Sequence, residues 1–555
     1  MTNGGADLVA RGGRVFAGGR PGAALPPGSG AGPVPEGTPT ALAVRGDRIT
    51  AIGSDRDADG WSGPMTEVIE ADGGLILPGF DDAHTHLRWA PTTLSRLDLF
   101  GLTDLAAVQA AIHAYATSQP GDAWVAGRGW LYAAFPGGMP TREQLDAAVP
   151  NRPAYFECFD GHSGWANSLA LAAAGIDDQT PDPVNGQIVR DATGHPSGAL
   201  LERATEAVEV LVPSPTPDQG LALLRQGLLA MAHAGITAVQ DAWAREEDFA
   251  TLDRLRDADG RLPIRVRLGL ELLPGLGARG LQEALGRQEE VVGRYRDDPF
   301  LRGGILKSFI DGVVEARTAS LLTPYPGTAT RGDARWMDEE LRSAVAEAHR
   351  RVWQVELHAI GTAAVRQALD AYQALGAGRA AHRRHRVEHI ETIDPDDLPR
   401  FADLGVVASM QPFHAFPEAH QMSVWEGALG PRLAASGWRI GSLLRSGAML
   451  AFGSDWPVVP YDPFLELHAA VNRTTVDGQP SGGWLPDEAI GMADALAAAT
   501  WGSAYAEHAD RERGTLAAGR AADLIMLDRD LLAEGPSAIL GTRVMATVVG
   551  GRIVR

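Results

Sequence analysis

Lysine is all but absent from this chain. Of its 49 lysine and arginine residues, only Lys307 is a lysine. Wherever a plain surface cation suffices the sequence uses arginine, so the lysine that survives points to a task arginine cannot perform. Cysteine is equally scarce. Cys158 alone excludes an intrachain disulfide and any cysteine-based zinc site, and its setting in AYFECF suits a small buried apolar side chain. No run of eighteen apolar residues occurs, which excludes a membrane-spanning helix of the usual kind. The opening MTNGGADLVARGG lacks a basic stretch leading into an apolar one, so no secretory signal is expected and the cytoplasm is the expected compartment. Positive charge is also in deficit. A net charge of −21 argues against nucleic acid or an anionic membrane as partner. A small-molecule substrate is expected instead, and a homodimer is compatible with this composition.

What is present is a globular chain, 45% hydrophobic and 21% charged, too long at 555 residues for one ordinary core. Residues 1–78 read as short strands (DLVARGGRVFAGG, ALAVRGDRITAIGSD, TEVIEADGGLILPG) interrupted by the Pro/Gly-rich stretch PGAALPPGSGAGPVPEGTP. Residues 513–555 return to the same style, with GTLAAGRAADLIMLDRD and VMATVVGGRIVR. The pattern predicts one small β-sandwich built from both termini. Between them, residues 79–512 alternate apolar runs with Ala/Leu/Arg-rich helical stretches, the pattern of repeated βα units. Eight runs are candidate barrel strands: 75–83, 236–242, 265–272, 304–309, 353–359, 386–390, 405–411 and 448–455. Helical spacing in DEELRSAVAEAHRRV and GTAAVRQALDAYQAL fills two of the gaps. The expected fold class is therefore α/β: a (β/α)₈ TIM-type barrel, with an insertion at about 88–225 that carries the strand-like AWVAGRGW and PAYFECFDGH.

Active sites of such barrels lie at the C-terminal ends of the strands, and the reactive residue types fall there. His84 and His86, two apart in an extended chain, point to one face and can converge on one ion, although a lone His-x-His is as readily a surface turn. Lys307 sits in GILKSF. A protonated amine inside a barrel is costly and would repel a metal. Reaction with carbon dioxide turns it into an anionic carbamate with two oxygens, which arginine cannot form. Strands five, six and eight end at His358, His389 and Asp455. Four imidazoles, one lysine and one aspartate suit one or two borderline-hard divalent cations, zinc before manganese or iron. Cations so placed would lower the pKa of water to near neutrality, with Asp455 as the proton carrier. Lys307 and His358 complete the expected catalytic set.

With these residues in view, the chain resembles the metal-dependent amidohydrolase superfamily, in the YtcJ-like branch that includes the N-substituted formamide deformylases. LPGFDDAHTHL, DGHSGWANSLAL, GHPSGALLE, LKSFIDGVVEARTA, RVEHIETI, SMQPFH and GSDWPVVPYDPF carry the resemblance, which spans nearly the whole chain. It implies hydrolysis of a non-peptide C–N bond in a small molecule. It also implies one metal site at His84, His86 and Asp455, a second at His358 and His389, and a bridging carbamate on Lys307. Trp130, Asp160 and His162 would reach the substrate from the insertion by the same resemblance. Gln411 and His414, after strand seven, could donate to a substrate carbonyl, Asp241 could order the site, and Trp456 could form an apolar wall. A carbamate, lactone or other ester as substrate remains an alternative on the same ligands, and so does a non-catalytic binding or regulatory barrel.

Overall fold

The structure is a computed structural model that describes residues 5–23, 35–121 and 123–555, with side chains throughout except at 419–421. Positions 24–34 of the Pro/Gly-rich stretch lie outside the described residues. The central sheet has eight parallel strands paired in chain order: β1 (Phe80–Thr85), β2 (Ile236–Ala244), β3 (Arg265–Glu271), β4 (Leu301–Phe309), β5 (Gln354–Ala359), β6 (Arg386–His389), β7 (Val407–Met410) and β8 (Met449–Phe452). The seam between β1 and the chain beyond β8 is closed by Asp455 N–H donating to the His84 carbonyl at 2.6 Å and His86 N–H to the Trp456 carbonyl at 2.7 Å. This is a TIM-type barrel.

The strands are buried on both faces because helices cover the outside. Helix α1 (Asp338–Arg350) buries Leu341, Ala344, Val345 and Ala348 at helical spacing and turns its charges outward. Helix α2 (Thr362–Gln373) does the same with Val365, Ala368, Leu369 and Tyr372. Both occupy the stretches whose spacing predicts them.

The first strand differs from the expected run 75–83. Leu75–Pro78 pairs with Arg14–Val15 and Leu524–Leu527 in a five-stranded terminal sheet, and β1 starts only at Phe80. Gly79 is the joint. A Cβ there would come within 2.2 Å of the Thr237 side chain, so the chain can change sheets beside β2 only with no side chain in the way. A second, four-stranded sheet of N-terminal strands faces the first across a shared core. Leu8, Leu42 and Val44 meet Ile76, Leu524 and Val548 there. Between β1 and β2 lies a six-stranded sheet that includes Val125–Trp130 and Ala154–Cys158, the two strand-like runs of the insertion. Its core continues into Val458 and Val459 beyond β8, which sets the insertion over the C-terminal end of the barrel. No helix among the described residues is long and apolar enough to cross a membrane.

Candidate metal centre and its cavity

Six side chains from five strand ends converge at the C-terminal end of the barrel. His84 lies within β1 and His86 just after it. Lys307 lies in β4, His358 in β5, His389 at the end of β6, and Asp455 three residues beyond β8. All are buried. His389 and Asp455 have φ of 71° and 64°, a left-handed backbone rare outside glycine that tends to be retained at functional sites. The Asp455 carboxyl receives the cluster from several sides. Its Oδ1 is 2.9 Å from His86 Nε2 and 3.4 Å from His84 Nε2, and its Oδ2 is 3.8 Å from His389 Nδ1. The Lys307 Nζ is 3.3 Å from His84 Nε2. The His389 ring lies 4.9 Å from that of His84 and 4.5 Å from that of His358.

Electrostatics separate these groups. Burial, reinforced by Lys307, brings His84 down to about 4, so its imidazole is neutral. Burial likewise lowers His86, His358 and His389. Neutral imidazole is the form that binds metal. Burial pushes the Asp455 carboxyl up, but the hydrogen bond of His86 and the polar rings of both β1 histidines outweigh it and hold the group well below its ordinary range. Burial lowers the Lys307 amine, and among the described residues no carboxylate forms an ion pair with it within 4.0 Å. An unpaired buried ammonium is costly, so burial eases the loss of its proton.

The donor set fits a divalent cation. One ligand atom each from His84, His389 and Asp455 lie within 4.8 Å of one another. That spacing needs little contraction to close round an ion whose N and O ligands sit about 2.1 Å away. His86 Nδ1 is buried without a hydrogen-bond partner among the described residues. His358 stands slightly apart, with Nε2 3.3 Å from the Gly312 carbonyl and 3.7 Å from Asp311 Oδ1.

Beside the cluster opens a cavity of about 380 Å³, lined by His86, His358, His389 and Asp455 together with aromatic rings of the insertion, of the end of β4 and of the segment after β7, and with Val458 and Val459 beyond β8. The model of the amidohydrolase family matches residues 67–555. The chain belongs to the amidohydrolase family. Among its relatives, N-substituted formamide deformylase of Arthrobacter pascens is 30% identical over 92% of this chain and 94% of its own length. Protein LONG AFTER FAR-RED 3 of Arabidopsis thaliana is also 30% identical, over 92% and 87%. In fold, this amidohydrolase resembles an uncharacterized metal-dependent hydrolase from Pyrococcus horikoshii OT3, with a TM-score of 0.69 at 24% identity over 95% of this chain and 98% of that one.

The insertion delivers two of its three expected residues to the cavity of this amidohydrolase. Asp160 and His162 line it. Asp160 accepts from the Tyr132 hydroxyl at 2.8 Å and from the His162 N–H at 2.8 Å. His162 Nδ1 is 3.1 Å from Glu202, and its ring lies 5.8 Å from that of His358. Trp130 is a correction. It is wholly buried in the core of the insertion, packed on Tyr132 and Phe135, with its indole N–H satisfied by the Phe156 carbonyl at 2.9 Å. It takes no part in the cavity wall. Trp456 also turns away, towards Tyr461 and Gly227 on the outer side of the barrel. His414 lines the cavity with Nε2 3.4 Å from Asp455 Oδ2, whereas Gln411 is buried outside the wall with neither amide atom partnered among the described residues. Asp241, raised to about 7 by burial, accepts the Trp243 N–H at 3.0 Å and stays outside the wall.

Four groups that sequence reasoning passed over hold the amidohydrolase site in shape. Glu388 Oε2 is 2.6 Å from His84 Nδ1. Arg386 binds Glu388 Oε1 at 2.8 Å and also holds Ser409 and the Ala83 carbonyl. Asp311 accepts the N–H groups of Ser320, Ile360 and Gly361, pinning the loop after β4 to the end of β5. Glu391 accepts the indole N–H of Trp425 at 2.8 Å in the cavity wall.

Proposed function

We propose that this chain is a metal-dependent hydrolase that cleaves a non-peptide C–N bond of a small molecule, an N-formyl or N-acyl amine, with zinc as the metal. The observation that carries the reading is the convergence of Lys307 with four imidazoles and Asp455 at one end of a cavity large enough for a small amide. His84, His86 and Asp455 would hold one ion and His358 and His389 a second, with Lys307 bridging them as its carbamate. That carbamate forms when the neutral Nζ adds to carbon dioxide and releases one proton.

Divalent zinc in such a set supplies Lewis acidity, which lowers the pKa of water and polarises a carbonyl. The chain's own residues do the rest. Glu388 fixes the proton of His84 on Nδ1, which leaves Nε2 free to ligate. Asp455 takes the proton of the attacking water on its carboxylate and passes it to the leaving nitrogen. His162, oriented through Nδ1 by Glu202, presents its other ring nitrogen to the cavity and binds the substrate near the scissile bond. Trp89, Phe100 and Phe159 exclude bulk water from that space.

The test is a panel of N-formyl amines, N-acyl amino acids, carbamates and lactones, assayed on zinc-loaded protein alongside metal analysis. Amide turnover at one or two zinc per chain is expected. Turnover confined to lactones or carbamates would overturn the C–N assignment. Failure to retain zinc, with no turnover at all, would favour a binding barrel.

A further inference from the structure

Beside the metal cavity lies a second one of about 530 Å³, and the two share Phe100, Val458 and Val459 in their walls. Their chemistry differs. No arginine or lysine lines the metal cavity among the described residues, whereas Arg128, Arg543 and Arg555 line the second. Arg543 is committed to Asp528 at 3.0 Å, and Arg555 donates to the His233 carbonyl at 2.6 Å. Arg128 is left with less. It is 6% exposed, and among the described residues its guanidinium makes one hydrogen bond, from Nη2 to the Phe159 carbonyl at 2.8 Å. Asp98 and Glu157 flank it in register on the two neighbouring strands, yet neither carboxyl comes within 4.0 Å of it. Burial and Glu209 push the Glu157 carboxyl up to about 7 against the pull of Arg128, which weakens its countercharge. Asp98 gives an oxygen to the Phe100 N–H at 3.0 Å, and Asp462, also in the lining, gives one to the Phe464 N–H at 2.9 Å.

In a chain of net charge −21 carboxyl groups are plentiful, so a nearly buried arginine without one in contact is a signal. Such a guanidinium is costly unless a ligand supplies the countercharge, and its planar fork matches the two oxygens of a carboxylate. Phe100, Trp456, Val458, Val459 and Phe464 add an apolar wall that suits a hydrocarbon body. Asp98 and Asp462 on the same lining disfavour a dianion. We infer that this second cavity binds a monocarboxylate with an aromatic or branched apolar body, at a site separate from the metal centre. The carboxylate accepts from the guanidinium N–H groups of Arg128 that the protein leaves free, and the body packs on the wall around Phe100 and Trp456. Occupancy of this site does not rest on the hydrolytic reading.

Calorimetry on the zinc-loaded full chain compares phenylacetate with 2-phenylethanol, its uncharged counterpart, with acetohydroxamate present to occupy the metal centre. The wild type should bind the acid at least about tenfold more tightly than the alcohol. Arg128→Met keeps the bulk of the side chain but not its charge, and should bring that ratio close to one. Arg128→Lys, which keeps the charge and loses the fork, should retain part of it. Ala234→Phe fills part of the cavity and should weaken binding of the acid, and it carries the test if Arg128→Met fails to fold. Inorganic phosphate should bind more weakly than phenylacetate. Equal binding of acid and alcohol, a ratio unchanged in the folded variants, or loss of acid binding once acetohydroxamate is present overturns the inference. Tighter binding of phosphate overturns the carboxylate class. A chain that retains no zinc is titrated in the same way, so Arg128-dependent binding of the acid keeps this site even where the hydrolytic reading falls.

Discussion

Nδ1 of His84 and Oε2 of Glu388 lie 2.6 Å apart, and neither side chain has any solvent exposure. The proton of the imidazole is thereby fixed on Nδ1, and Nε2 faces Lys307 and Asp455 with its lone pair free. Burial opposes the charge on Glu388, but Arg386 and His84 outweigh it and hold the carboxyl well below its ordinary range. Glu388→Gln therefore removes the group that sets both the tautomer and the basicity of one ligand. Zinc affinity, measured by competition with a chelator, should fall by about 10- to 100-fold in a variant that remains folded. Unchanged affinity would show that His84 needs no such partner.

Asp455 combines a ligand's position with that of a proton carrier. Its Oδ1 lies between His84 and His86, and its Oδ2 is within 3.4 Å of His414. Asp455→Asn preserves the shape and one acceptor oxygen but cannot take a proton. On the substrate that the panel identifies, kcat should drop by about 10²- to 10⁴-fold. Near-normal kcat in a zinc-replete variant would move the proton transfer to another group, with His414 next in reach.

The parts of this arrangement that were readable in the sequence are those where a rare residue type interrupts an apolar strand. Lys307 in GILKSF, His358 in QVELHA and His389 in RVEH stand out because barrel strands are otherwise hydrophobic, and a parallel barrel puts all strand ends at one face. Glu388 and Arg386 carried a signal that was not used. Two charges spaced by two residues within a core strand must point into the barrel together and must be paired there. Other features have no local signature. The run 75–83 is evenly apolar, and only the approach of Thr237 to Gly79 shows that it serves two sheets. Trp130 in GRGW has the composition of a cavity wall and of a core alike; the carbonyl of Phe156 decides between them. Glu391 meets Trp425 across 34 residues of sequence, a distance over which pattern carries nothing.

Lys307 is the sharpest test of the lysine economy of this chain. The amine is wholly buried, pairs in strand register with Glu356, and has its charged form disfavoured by burial. If its task is to become an anionic bridge, Lys307→Arg must fail as completely as Lys307→Ala, since a fixed cation repels the ions it should hold. Activity should fall by at least about a hundredfold in both, with zinc content reduced. Short carboxylic acids such as acetate or propionate should restore part of the activity of the alanine variant and none of that of the arginine variant. An active arginine variant would remove the carbamate from the mechanism.

The network behind His162 makes a prediction about pH. Glu202 contacts His162 at 3.1 Å and Arg335 at 2.5 Å. Burial pushes its carboxyl up, but the charge and hydrogen bond of His162, with Arg335, bring it down to about 2 from an ordinary 4.5. A carboxyl depressed in the folded state stabilises the fold fully above its unfolded pKa, and this contribution is lost as pH falls through the interval down to the folded value. The difference is worth on the order of 3 kcal/mol at neutral pH. Glu202→Gln should therefore melt at a lower temperature than wild type at pH 7, and the gap should narrow steadily between pH 5 and pH 3. Thermal denaturation of both proteins across that range reads the effect, with the zinc load held equal. A gap that stays constant with pH would mean that Glu202 contributes through its shape and not through its charge. His162 would then reach the cavity without an ionic partner to aim it.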